Sequence, residues 1–335
     1  MTSTLPPRTV ERLARRRLRR VNRETATVAA LALVLPLLIA GTPHLLPDGA
    51  TAPVAPGEVI AVPDTANEPP AGKPTATSSP VEYAAAPLAS QDELQELPLA
   101  YYDSVVPDLL TVEKSGIEPE PMFLTATVLA PEGVSTNDWL TALYAEPAPD
   151  AQPIAAIASV TVKNVTGLAV VGRAGSSWLL VTTPSRDALP SESGGWSAPQ
   201  TYAWVRTADF TVERVEQMVV VDTAESTIHI ETADGEISRR ESVTLGSPQA
   251  PTPSDTVTYI AASYIDPSQT FTENMPISML GSHTPTLDTF AGNAALNALH
   301  FSNSTNPFSK GCVRLSRALS LYLATLPIGT TVVFL

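Results

Sequence analysis

The chain of 335 residues contains a single cysteine, Cys312, which follows His300 by twelve positions. A thiol and an imidazole are the side chains that nucleophilic acyl transfer requires, because the sulfur attacks a carbonyl carbon while the imidazole takes and later returns a proton. One cysteine cannot form an internal disulfide, although a lone cysteine also commonly packs as a small apolar side chain. The residues around Cys312 therefore have to distinguish a nucleophile from a core residue.

Two features beside Cys312 favour a nucleophile. Gly311 permits a tight turn directly before the thiol, and the backbone N–H groups there could form an oxyanion hole, worth about 3 kcal/mol per donor. The next stretch, "VRLSRALSLYLATLP", is amphipathic and predicts a short helix that begins at the cysteine. We expect that helix start, together with a nearby imidazolium, to lower the pKa of the Cys312 thiol.

The segment "SKGCVRLS", residues 309–316, resembles the [ST]-x-G-C-[IV]-R-[LM] signature of L,D-transpeptidase (YkuD-type) catalytic domains. Upstream, "LDTFAGNAALNALH" is similar to the stretch that leads to the histidine of that family. "VTLGSPQAPTPSDTVTYI" and "MPISM" resemble two further family segments, and their order along the chain is the same. Together these stretches cover about 120 residues at the C-terminal end.

The resemblance implies a mixed β-sandwich-like domain that attacks the L,D peptide bond of a peptidoglycan tetrapeptide stem. The sulfur of Cys312 would expel D-Ala and form a thioester, with His300 as the general base. An amine on a neighbouring stem would then resolve the thioester and give a 3→3 cross-link. The resemblance implies no metal and no organic cofactor.

The remaining site residues also follow from the resemblance. Gly311 would belong to the oxyanion hole, and Ser309 would tighten the loop before the thiol. Arg314 would position the substrate near its charge, and Lys310 would either attract a stem carboxylate or remain an exposed charge. His283, in "GSHTP", is expected to be a loop residue that lies close enough to contribute to the cleft.

Three positions depart from the family pattern. Phe301 directly follows the histidine, the interval from His300 to Cys312 is short, and Ser254 and Asp255 stand where the family has a threonine and a glycine. Each change could alter substrate access. Two alternatives therefore stay open: an L,D-carboxypeptidase, in which water resolves the thioester, and a wall-binding scaffold whose catalytic domain has decayed.

The charge of the chain is divided unevenly. Residues 1–25 carry a net charge of +6, with eight arginines, and the remaining 310 residues carry −20. An acidic body argues against nucleic acid as a partner. The basic segment precedes an apolar run, so we predict a cytoplasmic tail (1–25) and a membrane anchor or signal segment (26–46). The rest of the chain would then lie in the bacterial cell envelope, outside the cytoplasm.

The composition divides the rest of the chain into three parts. Residues 47–98 contain ten prolines and one aromatic residue, which predicts an extended, disordered linker. Residues 99–210 contain short apolar runs separated by turn residues, which predict a β-rich domain. Within it, "GRAGSSWLLVTTP" and "TYAWVRTADF" resemble bacterial SH3-like modules, which are small barrels. Residues 211–335 form the predicted catalytic domain, and the whole fold is expected to be mainly β.

Overall fold

The computed structural model describes residues 83–132, 139–162 and 164–335. The predicted cytoplasmic tail, the predicted anchor or signal segment and the linker up to residue 82 lie outside these ranges. Within them, no helix combines the length and the apolar character that crossing a bilayer requires. The membrane segment stays a prediction.

The part of the predicted linker that is described packs against the folded body. Helix α1 spans Gln91–Gln95 and begins at a capping box, in which Ser90 and Glu93 bond each other's backbone N–H groups. Leu94 is buried, and Trp178 donates from its indole N–H to the carbonyl of Ala84 at 2.8 Å. The composition predicts a linker here, and the structure instead folds this stretch onto the neighbouring sheet.

The described residues between 112 and 214 form helix α2 (Val112–Ser115) and a seven-stranded sheet with one small hairpin beside it. The strands, in chain order, are β1 (Leu124–Val128), β2 (Leu140–Tyr144), β3 (Pro153–Ala158), β4 (Val160–Thr161), β5 (Asn164–Val165), β6 (Gly167–Ala174), β7 (Trp178–Thr183), β8 (Thr201–Arg206) and β9 (Phe210–Arg214). We call the sheet β3-β2-β8-β7-β6-β1-β9 the first sheet. Strands β4 and β5 pair with each other.

The first sheet is wider than the small barrel that the sequence suggested. Its seven strands are ordered from β3 to β9, and no described pairing joins these two end strands into a closed barrel. The two tryptophans of the SH3-like pattern do lie on paired strands, with Trp178 at the start of β7 and Trp204 on β8. The SH3-like interpretation stays a prediction, while the mainly β fold class is confirmed.

The described residues from 217 onward form a second sheet with the order β12-β11-β10-β19-β13-β14-β17-β18. The elements are β10 (Gln217–Asp222), β11 (Thr227–Thr232), β12 (Ile237–Ser242), β13 (Thr256–Tyr264), β14 (Ile277–His283), β15 (Thr289–Phe290), β16 (Asn293–Ala294), β17 (Leu296–Phe301), β18 (Val313–Leu315), α3 (Arg317–Leu323) and β19 (Thr331–Phe334). Strands β15 and β16 form a separate hairpin. Most neighbouring strands are antiparallel, but β10 runs parallel to β19, and β17 runs parallel to β18.

Apolar clusters on both faces stabilise the second sheet. One face of the sheet packs under α3, with Leu299, Val313, Leu319 and Leu323 in a single buried cluster. On the other side, β13 contributes Tyr259 and Ala261 to a cluster that contains residues of the first sheet. The edge formed by β17 and β18 carries the sequence-predicted site, so this pairing decides the geometry of His300 and Cys312.

Candidate active site

The parallel pairing of β17 with β18 brings His300 and Cys312 to one face of the second sheet. Leu299 lies opposite Val313 and His300 lies opposite Arg314, which places Cys312 two positions behind His300 on the neighbouring strand. Because side chains alternate, His300 and Cys312 share the face opposite the buried Leu299 and Val313. A strand spacing of about 4.8 Å and a rise of about 3.3 Å per residue put their Cα atoms about 8 Å apart.

The imidazole of His300 is held in one tautomer. Its Nδ1 lies 2.8 Å from the backbone oxygen of Phe301. Since a carbonyl oxygen only accepts, Nδ1 carries the proton and Nε2 keeps its lone pair. The ring is buried and contacts the ring of Phe271, with a centroid distance of 5.4 Å. A neutral imidazole with a free Nε2 is the form that can accept a proton from a thiol.

The surroundings of His300 keep it neutral. Burial lowers its pKa below the ordinary value of 6.5, the bond to the Phe301 carbonyl raises the pKa by a smaller amount, and the charge of Arg314 lowers it again. At neutral pH His300 is therefore a neutral base, with its proton on Nδ1 and none on Nε2.

The prediction that a helix begins at Cys312 and lowers the pKa of its thiol is wrong. Cys312 precedes strand β18, and helix α3 begins only at Arg317, so no helix terminus lies at the sulfur. Burial raises the pKa of the Cys312 thiol above its ordinary value of 9.0. A bond from the Ala298 backbone and the charge of Arg314 lower the pKa, but by less. Within the described structure no hydrogen bond joins the sulfur to His300, so the proton has to move during attack.

Glycine is the residue type that fits at position 311, directly before the cysteine. Its φ of +100° is favourable only for glycine, and a Cβ there would overlap Oγ1 of Thr284 and lie 3.2 Å from Nδ2 of Asn297. Both neighbours are buried. Any side chain at this position would therefore displace the turn that carries the thiol.

The backbone carbonyl groups of Lys310 and Gly311 are hydrogen-bonded to buried side chains on one side of the turn. The Gly311 oxygen accepts hydrogen bonds from Oγ1 of Thr252 and from Nδ2 of Asn297, both at 3.1 Å. The Lys310 oxygen lies 3.4 Å from Oγ1 of Thr284. We call Thr252, Thr284 and Asn297 the polar wall; all three are buried.

The polar wall determines the direction of two backbone donors. Every described peptide bond is trans, and in a trans peptide the C=O and the following N–H point in opposite directions. The carbonyls of Lys310 and Gly311 face the polar wall, so the N–H groups of Gly311 and Cys312 point away from it. Two adjacent N–H groups beside the sulfur are the arrangement that an oxyanion hole requires.

Ser309 closes the turn. Its Oγ donates to the Cys312 oxygen at 2.5 Å, and its backbone N–H donates to the Leu245 oxygen at 2.9 Å. The N–H of Ser247 in turn donates to the Ser309 oxygen at 3.1 Å. These bonds join the thiol turn to the segment that precedes β13, and the role of Ser309 in tightening the loop stays a prediction.

The two predicted substrate-binding cations have protein partners. Arg314 donates from Nη1 to the Asn306 oxygen at 2.6 Å, so its guanidinium supports the loop between β17 and β18. It is also the cation whose charge lowers the pKa of both His300 and Cys312. Lys310 is exposed, and its Nζ lies 5.1 Å from the ring centroid of Phe290. A substrate role for either residue stays a prediction.

The other two histidines in the described ranges, His229 and His283, lie apart from the thiol. His283 ends β14 and is fully buried, with its Nε2 2.8 Å from the Tyr102 oxygen. Burial lowers its pKa to about 3, and Arg186 adds to this effect. His229 is buried on β11, where its Nε2 lies 3.7 Å from a carboxylate oxygen of Glu231. Neither ring has a contact to Cys312 among the described residues.

Two of the departures from the family pattern have a local explanation. The guanidinium of Arg317 lies 4.3 Å from the ring centroid of Phe301, so the bulk of this side chain points away from the base. The Phe301 carbonyl accepts the hydrogen bond from Nδ1–H of His300. Asp255 has a φ of +50°. It thus adopts the left-handed conformation for which glycine is favoured, at a modest conformational cost.

The polar wall was missed by sequence reasoning. Asn297 is a polar residue inside the apolar run "AALNAL", and an amide in a buried strand needs hydrogen-bond partners. That signal could have pointed to a support role. Thr252 and Thr284 sit next to prolines, in "APTPS" and "SHTP", but their contact with Gly311 is non-local and has no sequence signal.

No protein-family model matches the sequence, and no curated protein matches it. Several similar solved structures are L,D-transpeptidases. One from Stackebrandtia nassauensis is 20% identical with a TM-score of 0.27, and the match covers 37% of this chain and 57% of that one. One from Mycobacterium smegmatis is 14% identical with a TM-score of 0.28, covering 50% and 99%.

The catalytic domain of the E. faecium enzyme, a third such structure, is 16% identical with a TM-score of 0.25, and the match covers 36% of this chain and 96% of that one. These values describe a partial likeness of fold. The chemistry has to be argued from the residues of the site itself.

Proposed function

We propose that the protein is a peptidoglycan L,D-transpeptidase that forms 3→3 cross-links through a thioester on Cys312. The observation that carries the proposal is the β17–β18 pairing, which places the unprotonated Nε2 of His300 and the Cys312 thiol on one face. The "SKGCVRLS" resemblance supplies the substrate class, a tetrapeptide stem whose L,D bond is cleaved.

The first half-reaction transfers the acyl group to sulfur. The thiol proton moves to Nε2 of His300 as the sulfur attacks the carbonyl carbon of the scissile bond. The oxygen of that carbonyl becomes an oxyanion, which the N–H groups of Gly311 and Cys312 stabilise by about 3 kcal/mol per donor. The C–N bond then breaks, and the imidazolium returns its proton to the amine of D-Ala, which leaves.

The second half-reaction releases the enzyme. An amine of a neighbouring stem attacks the thioester carbonyl while Nε2 of His300 takes one of its protons. The C–S bond breaks, and the sulfur recovers a proton from the imidazolium. If water attacks in place of the amine, the product is a tripeptide stem and the protein is an L,D-carboxypeptidase.

We further propose the arrangement of the whole chain in the cell. Residues 26–46 anchor the protein in the membrane, the stretch that follows spaces the folded part from it, and the first sheet orients or binds glycan strands. The acidic character of the chain beyond residue 25 is consistent with an envelope protein that has no nucleic-acid partner.

The test is a product analysis. The full chain and a Cys312→Ala control are incubated with tetrapeptide-bearing muropeptides, and the products are separated and weighed by mass spectrometry. A dimer that has lost one D-Ala and carries a 3→3 bond supports the transpeptidase. Tripeptide without dimer identifies the carboxypeptidase, and unchanged substrate with folded protein favours the decayed scaffold.

The same comparison can be made in cells. Walls digested from cells that have or lack the protein should differ in 3→3 dimers if the enzyme is a transpeptidase. A change in tripeptides alone would contradict cross-linking.

A further inference from the structure

A short segment directly behind the thiol turn is bound by residues that lie outside the predicted catalytic domain. This segment, residues 283–288, follows β14 and contains Thr284 of the polar wall. Oγ1 of Thr284 lies 3.4 Å from the Lys310 oxygen and occupies the space that a Cβ at Gly311 would need. The position of Thr284 therefore limits where the turn, and with it the two oxyanion donors, can lie.

Loops that flank the first sheet bind this segment at several points. Three bonds connect the segment with the loop between β7 and β8: His283 N–H to the Pro199 oxygen (2.8 Å), Ser197 N–H to the Pro285 oxygen (2.9 Å), and Ser191 N–H to Oδ1 of Asp288 (3.0 Å). A fourth joins Nε2 of His283 to the Tyr102 oxygen. The segment is thus fixed by residues far from it in sequence.

Among these described contacts from the loops of the first sheet, only Arg186 uses its side chain to bind Thr284 directly. It follows β7, and its Nη2 donates to the Leu287 oxygen at 2.7 Å and to the Thr284 oxygen at 3.4 Å. Its own backbone is bonded to the Ser104 oxygen and to the Val106 N–H. Only 3% of Arg186 is exposed, so the guanidinium is enclosed between the two parts of the molecule.

Burying this guanidinium has a cost. Desolvation lowers the Arg186 pKa to about 10, although the charges of Asp288 and Asp187 act in the opposite direction. Nη1 of Arg186 has no hydrogen-bond partner among the described residues. An apolar side chain of similar volume is often as stable at a buried site, but it cannot hold two carbonyls with one planar group. The arginine is therefore better explained by the carbonyls it holds than by packing.

We propose that Arg186 is a positioning residue for the acyl-transfer site: by holding the Thr284 and Leu287 carbonyls, it fixes the polar wall against which the Gly311–Cys312 turn is set. The inference rests on the proposed function, because it concerns the stabilisation of an oxyanion at this turn. It also assigns the first sheet a part in catalysis, since the site is completely supported only when both sheets are present.

The test compares two reactions of the same sulfur in the full chain. A carbapenem acylates the thiol: the sulfur adds to the β-lactam carbonyl through an oxyanion, the ring C–N bond opens, and the ring nitrogen takes the proton. Iodoacetamide alkylates the thiol by displacing iodide and forms no oxyanion. The ratio of the two rate constants therefore reports on the oxyanion donors and not on access to the sulfur.

We expect Arg186→Met to lower the acylation rate by about 10-fold to 100-fold, since a misplacement of about 1 Å has an effect of this size. The alkylation rate should stay within about twofold. Thr284→Val, which keeps the shape of the side chain but removes Oγ1, should lower the same ratio of rate constants. In the double variant the ratio should fall by a smaller factor than the product of the two single-variant factors. Lys114→Met is the matched control, because Lys114 pairs with the adjacent Asp187 but makes no bond to residues 283–288 within the described structure.

Two results would overturn the inference. One is an unchanged ratio of acylation to alkylation rate constants in folded Arg186→Met. The other is an equal fall of the acylation and alkylation rates, which indicates that only packing was lost. If Arg186→Met does not fold, an unchanged ratio in Arg186→Lys and in Thr284→Val overturns it equally. The proposed function fails separately, and the inference with it, if the unmodified chain is alkylated but never acylated.

Discussion

Two neighbouring regions at one end of the second sheet contain the same pair of residue types in opposite surroundings. The region of β17 and the thiol turn has His300 and Gly311; the region that follows β14 has His283 and Gly292. In the first, the histidine keeps a free Nε2 and the glycine is enclosed. In the second, the histidine is enclosed, and a Cβ added to the glycine would meet no atom within 4 Å.

The two histidines also differ in tautomer. His300 donates from Nδ1 to its neighbour's carbonyl, whereas His283 donates from Nε2 to the Tyr102 oxygen and keeps an Nδ1 that has no hydrogen-bond partner among the described residues. Both have lowered pKa values because both are buried. The difference shows that burial alone does not make a histidine a base; the hydrogen bond at one nitrogen decides whether the other nitrogen faces a nucleophile.

The largest expected effect comes from substituting the two histidines and comparing the acylation rates of the variants. His300→Gln should lower the rate of Cys312 acylation by about 10²–10⁴-fold, because it removes the proton acceptor. His283→Gln, the matched comparison, should lower that rate by less than about tenfold, because the His283 ring only helps to hold residues 283–288 and contacts no reacting atom. The measurement is carbapenem acylation followed by intact mass. Comparable losses in the two variants would contradict the assignment of the base.

The next effect concerns the glycines. Gly311→Ala should destabilise the protein by about 2–4 kcal/mol, since the new methyl group meets Thr284 and the φ is unfavourable. It should also lower acylation at least tenfold. Gly292→Ala, at a φ of +82° in open space, should cost about 1–2 kcal/mol and leave acylation within about twofold. Chemical denaturation measures the free energy of unfolding of both variants. Equal losses of stability in Gly311→Ala and Gly292→Ala would show that the polar wall moves to accommodate the new methyl group.

The pH dependence of the thiol sharpens the role assigned to His300. Acylation should fall as the pH drops through the lowered pKa of His300, below 6.5, and should be nearly level at neutral pH. Alkylation by iodoacetamide needs the thiolate, so its rate should keep rising about tenfold per pH unit towards and beyond pH 9. A level alkylation rate between about pH 5 and pH 8 would indicate a preformed ion pair and contradict this order.

The last effect concerns stability alone: it is the pH dependence of the free energy of unfolding that His283 contributes. The unfolded chain binds a proton at this residue near pH 6.5, whereas the native chain binds it only near pH 3. The unfolded state thus holds more protons between these values, and stability falls as the pH falls through this window, by up to about 1.4 kcal/mol per pH unit. His283→Gln should reduce that slope in denaturation experiments from pH 6 to pH 4; an unchanged slope would show that the ring is not shielded.

The sequence predicts more of the site than of its supports. The mainly β class follows from short apolar runs, and the apolar run that leads to His300 forms strand β17. The helix start was misplaced because Leu315 lies four and eight positions before Leu319 and Leu323, which continues the helical face backwards, although Val313 and Leu315 themselves alternate as in a strand. A local signal existed: Ser316 caps α3 by accepting from the Leu319 N–H, so the helix begins after it.

The supports of the site could not be predicted because they are non-local. Arg186 and Thr284 are far apart in the chain, and their contact depends on how the two sheets pack. The pKa of Cys312 has the same origin, since the sulfur is desolvated by residues brought together only by the fold. Motif and spacing therefore identify the reacting groups, while their protonation states and their orientation come from the tertiary structure.

The most direct test of the central claim is the mass of the full chain after incubation with a carbapenem, measured for the unmodified protein, Cys312→Ala and His300→Gln. We predict one added carbapenem on the peptide that contains Cys312, no addition in Cys312→Ala, and strongly slowed addition in His300→Gln. A folded protein whose thiol reacts with iodoacetamide but gains no carbapenem would contradict the assignment of Cys312 as an acyl-transfer nucleophile.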